Sequence, residues 1–225
     1  MQNRQTVPAP KRRNATKGAR TRAILKQVAR KLFEVDGHAG VTAQSIVEAA
    51  GISSGTFYIY FSNKNEIISE ICRDFIDKMI NSLAVERSYD SEYEYICIGH
   101  HIYVKYVNDN WRFYRFLISY SFVNSDILEI LHNARIREAE RTAAFLHIMW
   151  NKAGREPPEK DAKGAIKMAM ALHAMTEGVM QDELNSLAPG SELTAAKLRD
   201  LALYMGRLFY RSVFLEEPPV IQFDR

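Results

Sequence analysis

The 225-residue sequence predicts an all-α protein, and three observations support this fold class. Apolar residues recur at three- and four-residue intervals along most of the chain. No segment alternates polar and apolar residues as a half-buried strand does. Glycine, proline and an Asn-Asp-Asn run divide the helical pattern into separate segments. The length is sufficient for two helical domains that bury a core.

The first helix is predicted from its apolar stripe and ends at Gly37. Its inner face carries Ile24, Leu25, Val28, Ala29, Leu32 and Phe33 at helical spacing. Residues 1–16 contain Pro8, Pro10 and few large apolar groups, so we expect them to form a basic, flexible tail. The domain that follows is expected to span residues 17–64.

Two short helices are predicted in the stretch TAQSIVEAAGISSGTFYIYFSNK, from Thr42 to Lys64. Thr42 is a preferred residue type for the N-cap of the first helix. Gly51 can adopt the left-handed conformation that ends this helix. Ser53 is placed to cap the second helix, which runs to about Tyr60. The spacing predicts a helix-turn-helix.

The second short helix carries side chains that suit a nucleic-acid surface. Its interior Gly55 costs about 1 kcal/mol relative to alanine, unless a phosphate or base edge must approach the backbone. Hydroxyl groups and one apolar side chain suit phosphate oxygens and groove edges. Asn63 and Glu66 form a capping pair for the next helix. The candidate DNA-binding residues are Thr42, Ser53, Ser54, Gly55, Thr56, Tyr58, Ile59, Tyr60 and Lys64.

The rest of the chain also has helical periodicity. The predicted helices cover approximately residues 65–80, 93–108, 111–122, 125–149, 161–187 and 194–214. Ser125 is placed to cap the fourth of these helices. Gly154, two prolines and neighbouring polar residues make 151–158 the clearest interior loop. We expect a second domain over residues 65–217, which the helix at 65–80 connects to the first, and a short tail at 218–225.

The segment between residues 93 and 149 combines aromatic with polar side chains, as small-molecule pockets do. Aromatic residues at helical spacing also form ordinary cores, so both interpretations stay open. The candidate ligand-binding residues are His100, Tyr103, Phe116 and Tyr120, with Glu138, Arg141 and Thr142 as polar anchors. Their aromatic character indicates a small hydrophobic effector.

On the last two predicted helices, apolar residues cover more of the helix surface than packing against a single core requires. The residues are Ile166, Met170, His173, Met175, Val179 and Met180, then Leu198, Leu201, Tyr204, Met205, Leu208, Phe209 and Phe214. We expect part of this surface to face a second copy of the chain in a homodimer. The alternative is a wholly internal core.

Charge is distributed unevenly along the sequence. Residues 1–64 contain 11 Lys and Arg against three acidic residues, a net charge of +8. The remainder contains 19 basic and 24 acidic residues, a net charge of −5. A basic N-terminal segment joined to a mildly acidic body is typical of a polyanion-binding protein. The basic tail either lies along phosphates or in a minor groove, or is a solvated arm that aids solubility.

Residues Ile24 to Ile68 resemble the tetracycline-repressor-like (TetR) family of bacterial transcription regulators. The resemblance rests on ILKQVARKLFEVDGHAGVTAQSIVEAAGISSGTFYIYFSNKNEII, in which the GTFYIYFSNK run after AGIS is the distinguishing part. It implies a three-helix DNA-binding domain followed by a helical ligand-binding and dimerisation domain, whose last two helices pair across a two-fold axis. Two recognition helices would enter successive major grooves about 34 to 36 Å apart, on a double-stranded, roughly palindromic operator.

Three positions depart from the usual pattern of this family. Val47 stands at a position that usually carries alanine, which bears on the spacing of the two short helices. Ser54 replaces a frequent lysine, so we expect one phosphate contact fewer. Ile59 occupies a site that is often polar, and we expect it to meet a thymine methyl group or the sugar backbone.

Other classes of function find little support in the sequence. The six histidines lack paired ligand spacing, so no metal site is predicted. No nucleophile elbow, phosphate-binding glycine loop or zincin helix is present, so we expect neither an enzyme nor a cofactor. Without a signal peptide or an apolar run of membrane-spanning length, a cytoplasmic, nucleoid-associated bacterial protein is expected. Cys72 and Cys97 are expected to be reduced and buried.

The sequence therefore predicts a ligand-responsive repressor that a small hydrophobic effector releases from its operator. The effector would favour a state in which the fourth helix moves the two DNA-binding units too far apart. The alternative is a DNA-bound structural or protein-interaction factor that responds to no small molecule.

Overall fold

The computed structural model describes residues 12–83, 89–157, 159, 161–187, 191–216 and 218–220. Over these residues the chain forms nine α-helices and no strand, which confirms the all-α fold class. The helices are α1 (Arg12–Gly40), α2 (Ala43–Ala50), α3 (Ser54–Tyr60), α4 (Lys64–Leu83), α5 (Glu92–Asp109), α6 (Trp111–Ser121), α7 (Ser125–Lys152), α8 (Ala162–Asn185) and α9 (Ala195–Phe214).

The chain divides into two compact units, Met1–Cys72 and Arg73–Arg225. The division falls inside α4, whereas the sequence predicts a boundary at residue 64. Helix periodicity cannot locate this division, because α4 is one continuous helix whose first half contributes apolar residues to the first unit. The predicted tail at 218–225 lies mostly outside the described residues.

The first helix begins earlier than predicted and is interrupted at its predicted end. It begins at Arg12, inside the segment that the sequence predicts as tail, because residues 12–23 are mostly good helix formers. Residues 1–11 lie outside the described residues, so the predicted tail is not described there. Gly37 has φ 64° and ψ −177°, which interrupts α1 at the predicted end, and the helix resumes to Gly40. Leu25, Ala29 and Phe33 are buried as predicted.

The two short helices are held by the predicted local signals. The Thr42 hydroxyl accepts from the Ser45 amide at 3.0 Å, and the Ser45 hydroxyl accepts from the Thr42 amide at 2.9 Å, which forms a capping box. Gly51 adopts the left-handed conformation, with φ 65° and ψ 35°, as predicted. Val47 is 2% exposed, so the core of this unit holds the larger side chain.

Two predicted helix caps need correction. Ser53 occupies the N-cap position of α3, but its hydroxyl bonds to the Thr56 hydroxyl at 2.8 Å and caps no backbone amide. Asn124, not Ser125, caps α7, because its side-chain oxygen accepts from the Ile127 amide at 3.0 Å. Asparagine and serine are similarly good caps, so residue type alone does not choose between adjacent positions.

The core of the second unit is built on α5 packed along α9. A Cβ on Gly206 would lie 2.5 Å from Cys97 Sγ, so the two helices touch where α9 has no side chain. The Tyr93 and Tyr210 rings pack edge to face, 5.4 Å apart. Helix α8 packs along α7, and α6 also packs on α7. This arrangement places α4, α5, α7 and α8 around the cavity described below.

The internal packing accounts for much of the apolar surface on the last two helices. Residues buried within the protomer are Met180, Leu198, Leu201, Met205, Phe209 and Phe214. Half-buried residues are Ile166, Met170, His173, Met175, Val179 and Leu208. Tyr204 is 54% exposed. The apolar surface of these two helices that remains for a second copy of the chain is therefore smaller than the sequence suggests.

Cys72 and Cys97 are both buried, as predicted. Among the described helices, none is both long and apolar enough to cross a bilayer.

Candidate nucleic-acid interface and ligand cavity

The outward face of α3 gathers most of the predicted DNA-binding residues. Phe57 is fully buried and anchors the helix in the first unit. Tyr58 and Ile59, the next two residues, are 62% and 75% exposed. Ser53, Ser54 and Gly55 are exposed as well, and Thr56 is half-buried. Helix α3 has seven residues and is anchored by one buried phenylalanine. Its other face presents hydroxyl, phenol and aliphatic groups to solvent.

Hydrogen bonds hold three of these hydroxyl groups in place. Ser53 and Thr56 bond to each other, and the Ser54 hydroxyl donates to Gln44 Oε1 at 2.9 Å. Gln44 Nε2 in turn donates to Glu48 at 2.6 Å. Gln44 therefore lies beside the exposed face of α3, although the sequence analysis did not select it. The capping box occupies the Thr42 hydroxyl in a similar way.

Gly55 has open space where a side chain would stand. A Cβ built on it would meet no described atom within 4 Å outside its own local backbone. Packing inside the protein therefore does not explain glycine at this position. The open backbone is compatible with the close approach of another molecule.

Lys64 connects the end of α1 to the start of α4. Its ammonium group donates to the backbone carbonyls of His38 at 2.7 Å and Val41 at 2.8 Å. Desolvation lowers the pKa of Lys64. Two of its three donors are thus engaged, and one remains for a phosphate. Tyr60 also differs from its neighbours, since it is half-buried beside Gly18 of α1.

Part of the positive charge of the first unit is neutralised internally. Arg22 forms an ion pair with Glu70 and lies over the Phe61 ring at 4.5 Å. Lys26 lies 3.7 Å from the same carboxylate, and Arg30 pairs with Glu34 at 2.8 Å. The net charge of +8 counted over residues 1–64 therefore exceeds the positive charge available to a polyanion. The count leaves out Glu70, which comes after residue 64 but pairs with residues of α1.

The second unit contains a cavity of about 520 Å³. Five of the predicted ligand-binding residues line it, namely His100, Tyr103, Glu138, Arg141 and Thr142. Phe116 and Tyr120 do not, which corrects the prediction. Their rings stack on each other 5.6 Å apart, and the Tyr120 hydroxyl accepts from Asn124 Nδ2. Both belong to the core because α6 turns their side chains towards its own buried face.

One wall of the cavity carries polar groups from α5, α7 and α8. Arg135 and Glu177 form a two-point ion pair, with N–O distances of 3.2 and 2.6 Å. His173 Nε2 lies 2.9 Å from the Thr142 hydroxyl, and His100 Nδ1 lies 2.8 Å from the Ile96 carbonyl. Desolvation lowers the pKa of both histidines to about 4, with the charge of His100 adding to the effect at His173.

Sequence reasoning missed several of these cavity residues. Arg135 and Glu177 are 42 positions apart on different helices, so no local pattern shows that they pair. His173 is expected from its helical spacing to belong to the dimer surface, yet it lines the cavity. Tyr114 also lines it, with its hydroxyl 3.5 Å from that of Tyr103. Burial raises the pKa of the Glu138 carboxyl, although Arg141 beside it partly opposes this effect.

Within the described ranges, no group of three or more His, Cys, Asp or Glu side chains is arranged to hold a metal ion.

Comparison with known proteins identifies the first unit. Residues 25–71 match the family model for bacterial regulatory proteins of the tetR family. The uncharacterized HTH-type transcriptional regulator YdgC of Bacillus subtilis (strain 168) is 32% identical over 80 residues, which cover 34% of this chain and 41% of YdgC. The HTH-type transcriptional repressor KstR2 of Mycolicibacterium smegmatis is 37% identical over 59 residues, which cover 26% of this chain and 29% of KstR2.

The fold of the whole chain resembles that of solved regulators. GusR of Salmonella enterica superposes with a TM-score of 0.69 at 16% identity, over 87% of this chain and 96% of GusR. This likeness shows the fold alone, and the chain aligns with less than half the length of YdgC or KstR2. YdgC is named as a transcriptional regulator and KstR2 as a transcriptional repressor. Residues 25–71 therefore match the tetR family of bacterial regulatory proteins, and GusR shares the fold of most of the chain.

Proposed function

We propose that this protein is a repressor that binds a palindromic DNA operator as a homodimer and leaves it when a small hydrophobic effector occupies the cavity. The observation that carries the proposal is the exposed face of α3, where Tyr58 and Ile59 project beside an open Gly55 backbone. Hydroxyl and phenol groups suit phosphate oxygens, and an isoleucine suits a thymine methyl group. KstR2 is named as a repressor, which supports this direction of regulation.

The effector role rests on the cavity of the second unit. Its volume lies within the range of pockets that hold drug-sized ligands, and its walls combine many apolar groups with few polar ones. Phe75, Met79 and Leu83, on the last turns of α4, line it. A ligand that prefers one position of these turns shifts the population towards that position, whereas equal affinity for both positions changes nothing. We therefore assign α4 as the helix through which the effector acts.

Selection of bound fragments from random duplex DNA tests DNA recognition. We expect a palindromic motif whose half-site centres are about 10 base pairs apart, or a multiple of that distance. Affinity for the selected duplex and for a scrambled duplex is then measured across salt concentrations. Recovery of no motif from the purified chain would contradict the proposal.

Two variants separate the roles of the contact residues. Lys64→Ala should weaken binding to cognate and scrambled duplex alike and reduce the salt slope by about one. Ile59→Ala should weaken binding to the cognate duplex only. Thermal unfolding is measured in parallel, because Lys64 also binds two carbonyl groups. Lys152→Ala, an exposed change in the second unit, is the control, and equal effects of Lys64→Ala and Ile59→Ala on both duplexes would contradict this division of roles.

A structural or protein-interaction role without an effector is the competing hypothesis. The operator complex is challenged with a small-molecule fraction of a cell extract and, separately, with its protein fraction. Release by the small-molecule fraction supports the effector role. Release by the protein fraction alone supports the competing hypothesis.

A further inference from the structure

We propose that the cavity binds an uncharged alcohol or phenol, with its apolar body among the α4 and α7 side chains and its hydroxyl group donating to Nε2 of His100. The proposal rests on the effector role of the cavity given above and names the chemical class of the effector. It follows from three properties of the cavity wall: the orientation of His100, the internal pairing of the charged groups, and the apolar walls.

The hydrogen bond between His100 and the backbone determines which ring nitrogen can accept a hydrogen bond from a ligand. Nδ1 lies 2.8 Å from the Ile96 carbonyl, which can only accept, so Nδ1 carries the proton. A neutral imidazole with a proton on Nδ1 presents only a lone pair at Nε2. The ring lines the cavity, and no side chain or backbone group in the described part of the chain donates to Nε2. A ligand at this position must therefore bring an O–H or N–H group.

Charged groups on the cavity wall are already paired with one another. The Arg135 guanidinium group is held at two points by Glu177, and Arg141 donates to Glu138 at 2.8 Å. A carboxylate ligand would add an unbalanced negative charge beside these neutral pairs, and an ammonium ligand would add an unbalanced positive charge. A neutral ligand leaves the charge balance of both pairs unchanged. The two histidines stay neutral at pH 7, since burial lowers their pKa values to about 4.

The remaining walls accept an apolar body. Phe75, Ile76 and Met79 contribute from α4, and Phe145 and Ile148 contribute from α7. The Phe209 ring lies 5.5 Å from the His100 ring, edge to face, and adds an aromatic surface beside the imidazole. An apolar ligand with one hydroxyl group thus matches the apolar walls and the acceptor that His100 presents. An amine would be protonated at pH 7 and would lack a partner.

The test compares three ligands that share one apolar body, with the full chain at pH 7.5. The probes are 4-cyclohexylphenol, its methyl ether and 4-cyclohexylbenzoate, and affinity is measured by calorimetry. We expect the phenol to bind about tenfold more tightly than either analogue, because only the phenol is both uncharged and a donor. Equal or tighter binding of the ether or the benzoate overturns the proposal, and so does an absence of binding by all three.

Variants then locate the contact. His100→Phe keeps a ring but removes the acceptor, and it should lower phenol affinity about tenfold while leaving ether affinity unchanged. His100→Gln restores an acceptor oxygen and should recover part of the loss. Tyr120→Phe, outside the cavity, is the matched control, and circular dichroism confirms that each variant is folded. Unchanged phenol affinity in folded His100→Phe overturns the proposal.

Measurement of DNA release separates this proposal from the proposed function. Binding of the phenol through His100 without any effect on operator affinity would support the ligand class and contradict the effector role. Release of the operator by an extract fraction, together with no binding of the phenol, would support the effector role and contradict the ligand class.

Discussion

At Gly55 the backbone of α3 faces solvent with no side chain in the way. The two neighbouring hydroxyl residues, Ser54 and Thr56, are already held by Gln44 and Ser53. The face presented to a duplex is thus partly fixed before binding, which lowers the ordering cost at the interface.

Replacement of Gly55 by alanine should change stability and DNA affinity in opposite directions. Alanine fills open space and favours the helix, so the free energy of unfolding should rise by up to about 1 kcal/mol. The added methyl group would obstruct close approach of DNA, and operator affinity should fall about tenfold or more. Urea unfolding and fluorescence anisotropy measure the two effects.

Val35→Ala, at an exposed position of α1, serves as the control for Gly55→Ala and should change neither quantity greatly. Undiminished operator affinity in a stabilised Gly55→Ala variant would show that DNA does not approach this backbone.

The buried histidines give the protein a pH dependence below neutrality. Their pKa values in the folded state are about 4, below the ordinary value of 6.5. Between these values the unfolded chain binds more protons, so stability should fall as the pH is lowered from 6.5 towards 4. His173→Gln should show a shallower decline of the unfolding midpoint over this range. Parallel pH profiles for the variant and the parent chain would contradict the assignment.

The contact partners of individual residues are the feature of the structure that the sequence predicts least well. The N-cap at Thr42 and the left-handed Gly51 were predicted from short-range patterns, and the structure confirms both. The pairing of Arg135 with Glu177 depends on how α7 lies on α8. Lys64 illustrates the same limit, because its contacts with the His38 and Val41 carbonyls cannot be seen from its place in a DNA-binding motif.

At the scale of elements, contact between α5 and α9 depends on the absence of a side chain at Gly206. Cys97 Sγ occupies the space where a Cβ would stand. The contact joins residues more than 100 positions apart, so helical periodicity could predict both helices but not their pairing. The same limit applies to Phe116 and Tyr120, whose spacing fits either a core or a cavity wall.

Gly206→Ala should destabilise the second unit by about 1–3 kcal/mol, because the new methyl group meets Cys97 Sγ at 2.5 Å. Cys97→Ala in the same chain should recover part of this loss, since the sulfur is the nearest obstacle. Denaturant unfolding of the two single variants and the double variant gives the coupling energy.

Gly178→Ala is the matched control for Gly206→Ala, because it lies in a helix with open space around its Cβ position. It should leave stability unchanged or raise it slightly. If the effects of Gly206→Ala and Cys97→Ala on the free energy of unfolding were additive, the methyl group at position 206 would not clash with the Cys97 side chain.

At the scale of the whole molecule, the proposed repressor must be a dimer to contact two successive grooves. Exposed Tyr204 and half-buried Met175, Val179 and Leu208 are among the apolar residues of α8 and α9 that remain for a second copy. Sedimentation at micromolar concentration should give twice the chain mass of 25.8 kDa. Tyr204→Asp should shift this equilibrium towards the monomer, and a monomer in the parent chain would contradict the dimer.

The most direct test of the account is competition for the purified chain between its selected duplex and other polyanions. Fluorescence anisotropy is recorded with the labelled duplex at moderate salt, with heparin, tRNA or scrambled duplex as competitor. The account predicts that the selected duplex is preferred over all three and that an Ile59→Ala, Tyr58→Ala double variant loses this preference while it stays folded. Equal displacement by heparin or tRNA, or an unchanged preference in the double variant, would contradict the claim that α3 reads DNA.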